Sequence, residues 1–272
     1  MTLIFAAINK HQAYMATDTQ QTNTETGDIL SDEVTKSLKF VCQDGQAVMS
    51  ITTNLAYIDD ALITDWLTDT LAGFKLSCIP FDDVVSDLVK KLEGEYNRYN
   101  ITPKLTALLL GWKENESRCP IGLIITNADK ITATDKRHAV KFNIRPINIS
   151  QNKVGVEVRG SISATKNSSC NAIMKQIVHL LNINSNKLNE NIMANIARYI
   201  ITASQNDSGS TIGENVVISL ITRGKEYNSV RVYPDTPDKV YPNHSTDKIS
   251  ITGLRVINDF VEGGETIIGN GF

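Results

Sequence analysis

TLIFAAINKHQAYMATDTQ, residues 2–20, is the stretch whose reading decides the fold. Residues 3 to 8 are continuously apolar, a polar NKHQ step follows, and AYMAT at 13–17 is apolar again. The pattern predicts two short strands joined by a hairpin turn. Moving outward, TQQTNTETGD (19–28) is too polar to pack and reads as a loop. ILSDEVTKSLKFV and QAVMSITT then read as two further strands, with Asp44-Gly45 as the turn between them. The chain thus opens with four strands.

The character changes at Asp59. In DDALITDWLTDTLAGF, Ala61, Leu62, Trp66, Leu67 and Leu71 fall near helical spacing, with Asp59 and Asp60 at the positive end of the helix dipole and Gly73 as the stop. Pro80 announces a second helix whose stripe is Val84, Val85, Leu88, Val89 and Leu92, ending near Tyr96. KLTALLLGW and IGLIITN return to strand character, and 128–155 carries mixed signals with a turn at Arg145-Pro146. NAIMKQIVHLL (171–181) and LNENIMANIARYIITA (188–203) read as helices, followed by the strands VVISLITRG and SVRVYP. The order ββββ, αα, ββ, αα, ββ predicts an α+β fold: two antiparallel sheets with a helix pair outside each, a four-layer αββα sandwich. Residues 1–233 form the domain, and 234–272, punctuated by Gly and Pro, an irregular C-terminal extension of it.

Composition limits the partners. The net charge is only −3 over 272 residues, with both signs interspersed, so neither nucleic acid nor an anionic membrane is an expected partner. Cys42, Cys78, Cys119 and Cys170 form no metal-ligand spacing and read as reduced, buried thiols. The isolated histidines His11, His138, His179 and His244 match no metal motif, and His179 reads as a packed or boundary residue. The apolar run at 3–8 lacks a basic lead, and no run approaches a membrane span, which places the chain in the cytoplasm.

Four segments resemble proteasome β subunits and their bacterial relatives, over roughly residues 2 to 224. TLIFAAINKHQAYMATDTQ is similar to the family's opening, a threonine starting an apolar strand with an aspartate sixteen positions on: Thr2 and Asp18. ILSDEVTKSLKF resembles the strand bearing the catalytic lysine, where Lys36 fits best and Lys39 is the alternative. VEVRGSISAT resembles the glycine-serine turn opening the third helix and places Ser161 at the supporting serine. SQNDSGSTIGENVVISLITRG resembles the Asp, Ser-Gly segment before a late core strand. Ser208-Gly209 fits that pair, but Asp207 is adjacent to the serine instead of three residues before it. Where the family ends its fourth strand in an oxyanion-hole glycine, this chain has SITTN, with Thr52 or Thr53 at that place.

The resemblance implies an N-terminal nucleophile (Ntn) hydrolase: a threonine peptidase or amidase acting within a homo-oligomer, with an unfoldase or activator as a further partner and no cofactor or metal. Removal of Met1 would free the Thr2 amine, whose reference pKa near ~8 suits it to accept the Oγ proton. Lys36 would disfavour protonation of that amine, and Asp18 would orient Lys36 and keep it charged. Ser161 and Ser208 would hold the amine's geometry, Asp207 would stand in the family's aspartate role, and backbone N–H groups near Thr52 and Thr53 would stabilise the oxyanion. The substituted glycine and displaced Asp207 motivate one alternative, a catalytically inactive scaffold or binding subunit; a narrow-specificity amide hydrolase or transferase acting on a small molecule is a further one.

Overall fold

β1 (Leu3–Ile8) and β2 (Gln12–Asp18) pair antiparallel, with Phe5 opposite Ala16. Their unbroken apolar runs arise because both faces are covered. Leu3, Phe5 and Ala7 join a cluster with the helix residues Ile173, Ile196 and Ile200, whereas Ile4, Ala6 and Ile8 join Val48, Leu108 and Leu110. A strand buried on both sides has no polar face to alternate with. The structure, a computed structural model, describes residues 2–22, 26, 28–31, 34, 36–53, 55, 57–101, 103–114, 120–128, 140–147, 154–183, 188–209, 211–222, 230–233, 254–259 and 266–269. Met1, Cys119, His138, His244 and much of 234–272 lie outside these residues.

After β2 come β3 (Gln21–Thr22) and β4 (Ile29–Ser31), a small separate ladder that places a strand pair across the segment read as loop. β5 (Ser37–Cys42) and β6 (Gly45–Thr53) form the next hairpin. Because Cys42 pairs with Gly45, the turn is Gln43-Asp44, not Asp44-Gly45. Gly45 is a glycine for another reason: a Cβ there would stand 2.2 Å from the Trp112 carbonyl oxygen.

β7 (Tyr57–Ile58) and β8 (Ala61–Leu62) flank Asp59 and Asp60, whose φ values are +50° and +63°. Two left-handed residues between paired strands are a type I′ hairpin turn, which aspartate tolerates. These acids therefore close a turn, and α1 (Ile63–Ala72) begins only after them, with Asp65 in its first turn. α2 (Phe81–Arg98) follows Pro80 and buries Val84, Val85, Leu88, Leu92 and Tyr96.

β9 (Leu105–Lys113), β10 (Ile121–Thr126) and β11 (Asn143–Pro146) come next. Arg145 and Pro146 lie inside β11 and not in a turn; β11 is an edge strand, where proline's missing donor is harmless. The chain then runs through β12 (Gly155–Gly160), α3 (Ser168–Ile183), α4 (Asn189–Gln205), β13 (Val216–Thr222), β14 (Val230–Tyr233), β15 (Leu254–Asp259) and β16 (Thr266–Gly269).

One main sheet has the order β12-β1-β2-β13-β14 and is antiparallel throughout. The other has the order β11-β10-β9-β6-β5-β15-β16 and contains one parallel pair, β5 with β15. The segment after 234, expected to be irregular, thus supplies two strands. Leu254 sits opposite Ser37, a partner so distant in sequence that no turn signal could announce it.

Among the described residues, three apolar clusters organise the interior. α1 and α2 share one with β5, β6 and β9; α3 and α4 share another with β1, β2 and β13. The third is built from strand residues of both main sheets together with Ile147. Among the thiols, Cys42 and Cys170 are buried and free, but Cys78 is exposed, because it lies at the end of a single 3-10 turn, Leu76–Cys78, on the surface. His179 is exposed on α3, off the buried stripe of Ile173, Ile177 and Leu181. No helix among the described residues is long and apolar enough to cross a membrane.

Candidate functional site

The start of β1, the ends of β2, β6 and β12 and the segment before β5 converge on one polar cluster. Asp18 closes β2 and is wholly buried. Its Oδ1 accepts the Leu3 backbone N–H at 3.0 Å, which ties it to the peptide that follows Thr2. Its Oδ2 accepts from Lys36 Nζ at 2.7 Å, from Gly213 N at 3.2 Å and from Gln20 N at 3.3 Å. Lys36 also donates to the Gln20 carbonyl. A buried ion pair is better tolerated when further hydrogen bonds serve its lone pairs and protons, and here three backbone N–H groups serve Asp18 and a backbone carbonyl serves Lys36.

Burial lowers the Lys36 pKa from its ordinary value, and the opposing pull of the Asp18 carboxylate does not fully offset the desolvation. Of the two lysines open at this position, Lys36 is the one bonded to Asp18. Lys39 lies within β5 opposite Val48, and burial lowers its pKa as well.

Thr2 is partly buried at the mouth of the cluster. Its carbonyl oxygen accepts the Ser161 backbone N–H at 3.3 Å and lies 3.4 Å from Thr52 Oγ1. Of the two threonines at the end of β6, Thr52 therefore reaches Thr2. The Thr53 side chain turns away, donating to the Lys104 carbonyl at 2.8 Å and accepting the Leu55 N–H at 2.9 Å.

Ser161 Oγ lies 3.1 Å from Thr211 Oγ1, and Thr211 Oγ1 donates in turn to Asp207 Oδ2 at 2.6 Å. Asp207 also accepts the backbone N–H groups of Gly209, Thr211 and Ile212. Burial pushes its carboxyl upward, but these donors together outweigh burial and hold the pKa below its ordinary value. Ser208 is exposed on the turn that Asp207 closes.

The structure thus gathers Thr2, Asp18, Lys36 and Ser161, connects Asp207 through Thr211, and leaves the side chains of Thr53 and Ser208 pointing elsewhere. Sequence reading left Thr52 and Thr53 both open, and it missed Gln20, Thr211 and Gly213. Gly213 donates to Asp18, and a Cβ on it would stand 2.6 Å from Gln20 Cβ. Its only signal was a glycine in the loop before a core strand. Among the described residues no three His, Cys, Asp or Glu side chains gather as metal ligands.

No family model and no curated relative matches the sequence. Solved structures match the fold. The Anbu (ancestral beta-subunit) protein from Yersinia bercovieri superposes with a TM-score of 0.54 at 13% identity, covering 81% of this chain and 81% of its own. The Anbu (Gly-1) mutant from Hyphomicrobium sp. strain MC1 gives 0.53 at 11%, covering 89% and 91%. The helical assembly of the Anbu complex from Pseudomonas aeruginosa gives 0.54 at 11%, covering 87% and 88%. The chain shares the Anbu fold. At such identities the likeness is one of architecture, and it accords with the β-subunit resemblance read from residues 2 to 224.

Proposed function

We propose that this chain is a proteasome-like N-terminal nucleophile hydrolase that cleaves amide or peptide bonds with Thr2 once Met1 has been removed. The observation that carries the reading is the Asp18 carboxylate, which holds the Leu3 N–H with one oxygen and Lys36 with the other, and so seats a buried cation beside the first residue of β1. The Thr2 amine takes the Oγ proton as Oγ attacks the substrate carbonyl, and the tetrahedral oxyanion is met by backbone N–H groups at the end of β6. The ammonium then returns its proton to the leaving amine, an ester-linked acyl-enzyme forms, and water, deprotonated by the same amine, releases the acid. Lys36 keeps the amine a base through like-charge repulsion.

The reading takes residues 1–233 and 234–272 as one domain, supported by β15 pairing beside β5. It stacks the layers as αββα, supported by the three clusters. It also makes the chain a subunit of a homo-oligomer, for which the helical assembly of the P. aeruginosa Anbu complex is the support.

The test is intact mass followed by labelling with an electrophilic threonine-directed probe. Protein with free Thr2 gains one probe mass, and Thr2→Ala gains none; equal labelling of the two removes Thr2 as the nucleophile. A catalytically silent scaffold subunit is the second reading, and one feature favours it. The Asp207 carboxylate is occupied by its own loop while Ser208 faces solvent. Free Thr2 that never labels decides for the scaffold.

A further inference from the structure

Gly160, the last residue of β12, has a φ of +101°, a conformation L side chains rarely adopt. It sits opposite Leu3 in the ladder, and a Cβ built on it would stand 1.6 Å from the Thr2 carbonyl oxygen and 3.2 Å from Thr52 Oγ1. The first contact is with backbone, so no side-chain rotation can relieve it. The missing Cβ is what allows the Thr2 carbonyl to enter the gap between the ends of β12 and β6. There the Ser161 N–H and the Thr52 hydroxyl meet it.

We infer that Gly160 and Thr52 are positioning residues for Thr2, together forming a clamp on its carbonyl that fixes the place of the Thr2 Cα, from which the nucleophilic side chain and the amine project. This inference deepens the hydrolase reading and rests on it for its catalytic consequence. The physical reason is leverage. Asp18 secures the Leu3 N–H on one side of the Thr2–Leu3 peptide, and the clamp secures the C=O on the other. A peptide unit is planar, so holding its N–H and its C=O fixes the plane. With that plane set, the only soft dihedrals left to Thr2 are its own ψ and χ1, and misplacing a nucleophile by about 1 Å costs on the order of 100-fold in rate.

A merely structural role would predict equal effects from any change at Thr52. The clamp predicts that the hydroxyl matters and the methyl does not. The full chain with free Thr2, verified by intact mass, is compared with Thr52→Val, Thr52→Ser and Gly160→Ala. Two quantities are read: the rate of covalent labelling by a peptide vinyl sulfone, and hydrogen exchange at the Ser161 amide.

Thr52→Val is expected to label about 10-fold more slowly with faster exchange at Ser161 and an unchanged Tm, while Thr52→Ser restores both quantities. Gly160→Ala is expected to lose labelling altogether. If Thr52→Val labels and exchanges like the parent, or if Thr52→Ser fails alongside it, the clamp is overturned. Should Gly160→Ala fail to fold, the Val and Ser pair still decides. If the parent itself never labels, the hydrolase reading falls, and the Ser161 exchange comparison still tests the clamp.

Discussion

Asp18 and Asp207 are the two aspartates that the β-subunit resemblance singled out, and the structure uses them in opposite ways. The partners of Asp18 are Leu3, Gln20, Lys36 and Gly213, drawn from β1, the chain beyond β2, the approach to β5 and the loop before β13. Those of Asp207 are Gly209, Thr211 and Ile212, all within five residues of it. The first is a tertiary junction, buried and ionic; the second is a local staple of the kind that short acidic side chains form with their own loop. The Asp18 carboxylate joins distant segments, whereas that of Asp207 closes its own turn and reaches Ser161 only through Thr211.

The largest expected effect comes from breaking the junction. Asp18→Asn leaves Lys36 buried without its counter-charge and should destabilise the fold by about 3–5 kcal/mol in chemical denaturation. Adding Lys36→Met should recover part of that loss, since an apolar replacement of both partners removes the uncompensated charge. If the single and double variants lose stability equally, the ion pair is not the source of the effect.

The staple should be worth less and act locally. Asp207→Ala is expected to cost about 1–3 kcal/mol, with hydrogen exchange rising at the Thr211 and Ile212 amides while β1 stays protected. Loss of protection in β1 would show that the two regions are not separable. Their hinge is the contact of Ser161 Oγ with Thr211 Oγ1, and Ser161→Ala should cost only about 0.5–1.5 kcal/mol.

The smallest effects are pH-dependent. Both Asp207 and Lys36 have lowered folded-state pKa values, so in each window the unfolded chain holds more protons and stability rises with pH. For Asp207 the window lies just below its ordinary value of 3.8. Its contribution is full above that value and is lost as pH falls through the depressed folded pKa. For Lys36 the window lies below 10.5, so the parent should gain stability as pH rises through it, and Lys36→Met, which has no amine to titrate there, should lack that part of the rise. Urea midpoints of the parent, Asp207→Asn and Lys36→Met across both ranges check the sign.

Much of this architecture was legible in sequence wherever a local signal exists. The apolar runs at 3–8 and 105–112, the stripe from Val84 to Leu92 and the helix pair after 168 each declared their element. Errors fell where one local signal has two meanings. Asp59-Asp60 suits a helix start as well as a type I′ turn, and only the pairing of β7 with β8 selects the turn. Arg145-Pro146 suits a turn as well as an edge strand, and the choice depends on whether β10 has a free side.

At the candidate site the limit was different. The order and spacing of Thr2, Asp18 and Lys36 could be read directly, but Lys39 was an equal chemical type three residues on, and Thr52 and Thr53 were adjacent and identical. Adjacent residues in a strand face opposite ways, so the backbone's placement decides which hydroxyl reaches Thr2.

The sequence alone determined the long core strands and the helices, because burial on one face or two is written in the period of apolar residues. It also determined which residue types were present to do chemistry. Only the tertiary structure decided that Lys36 meets Asp18, that Thr52 and Gly160 enclose the Thr2 carbonyl, and that Leu254–Asp259 lies parallel to β5. These are meetings between segments far apart in the chain. No local preference encodes such a meeting; the packing of both sheets decides it at once.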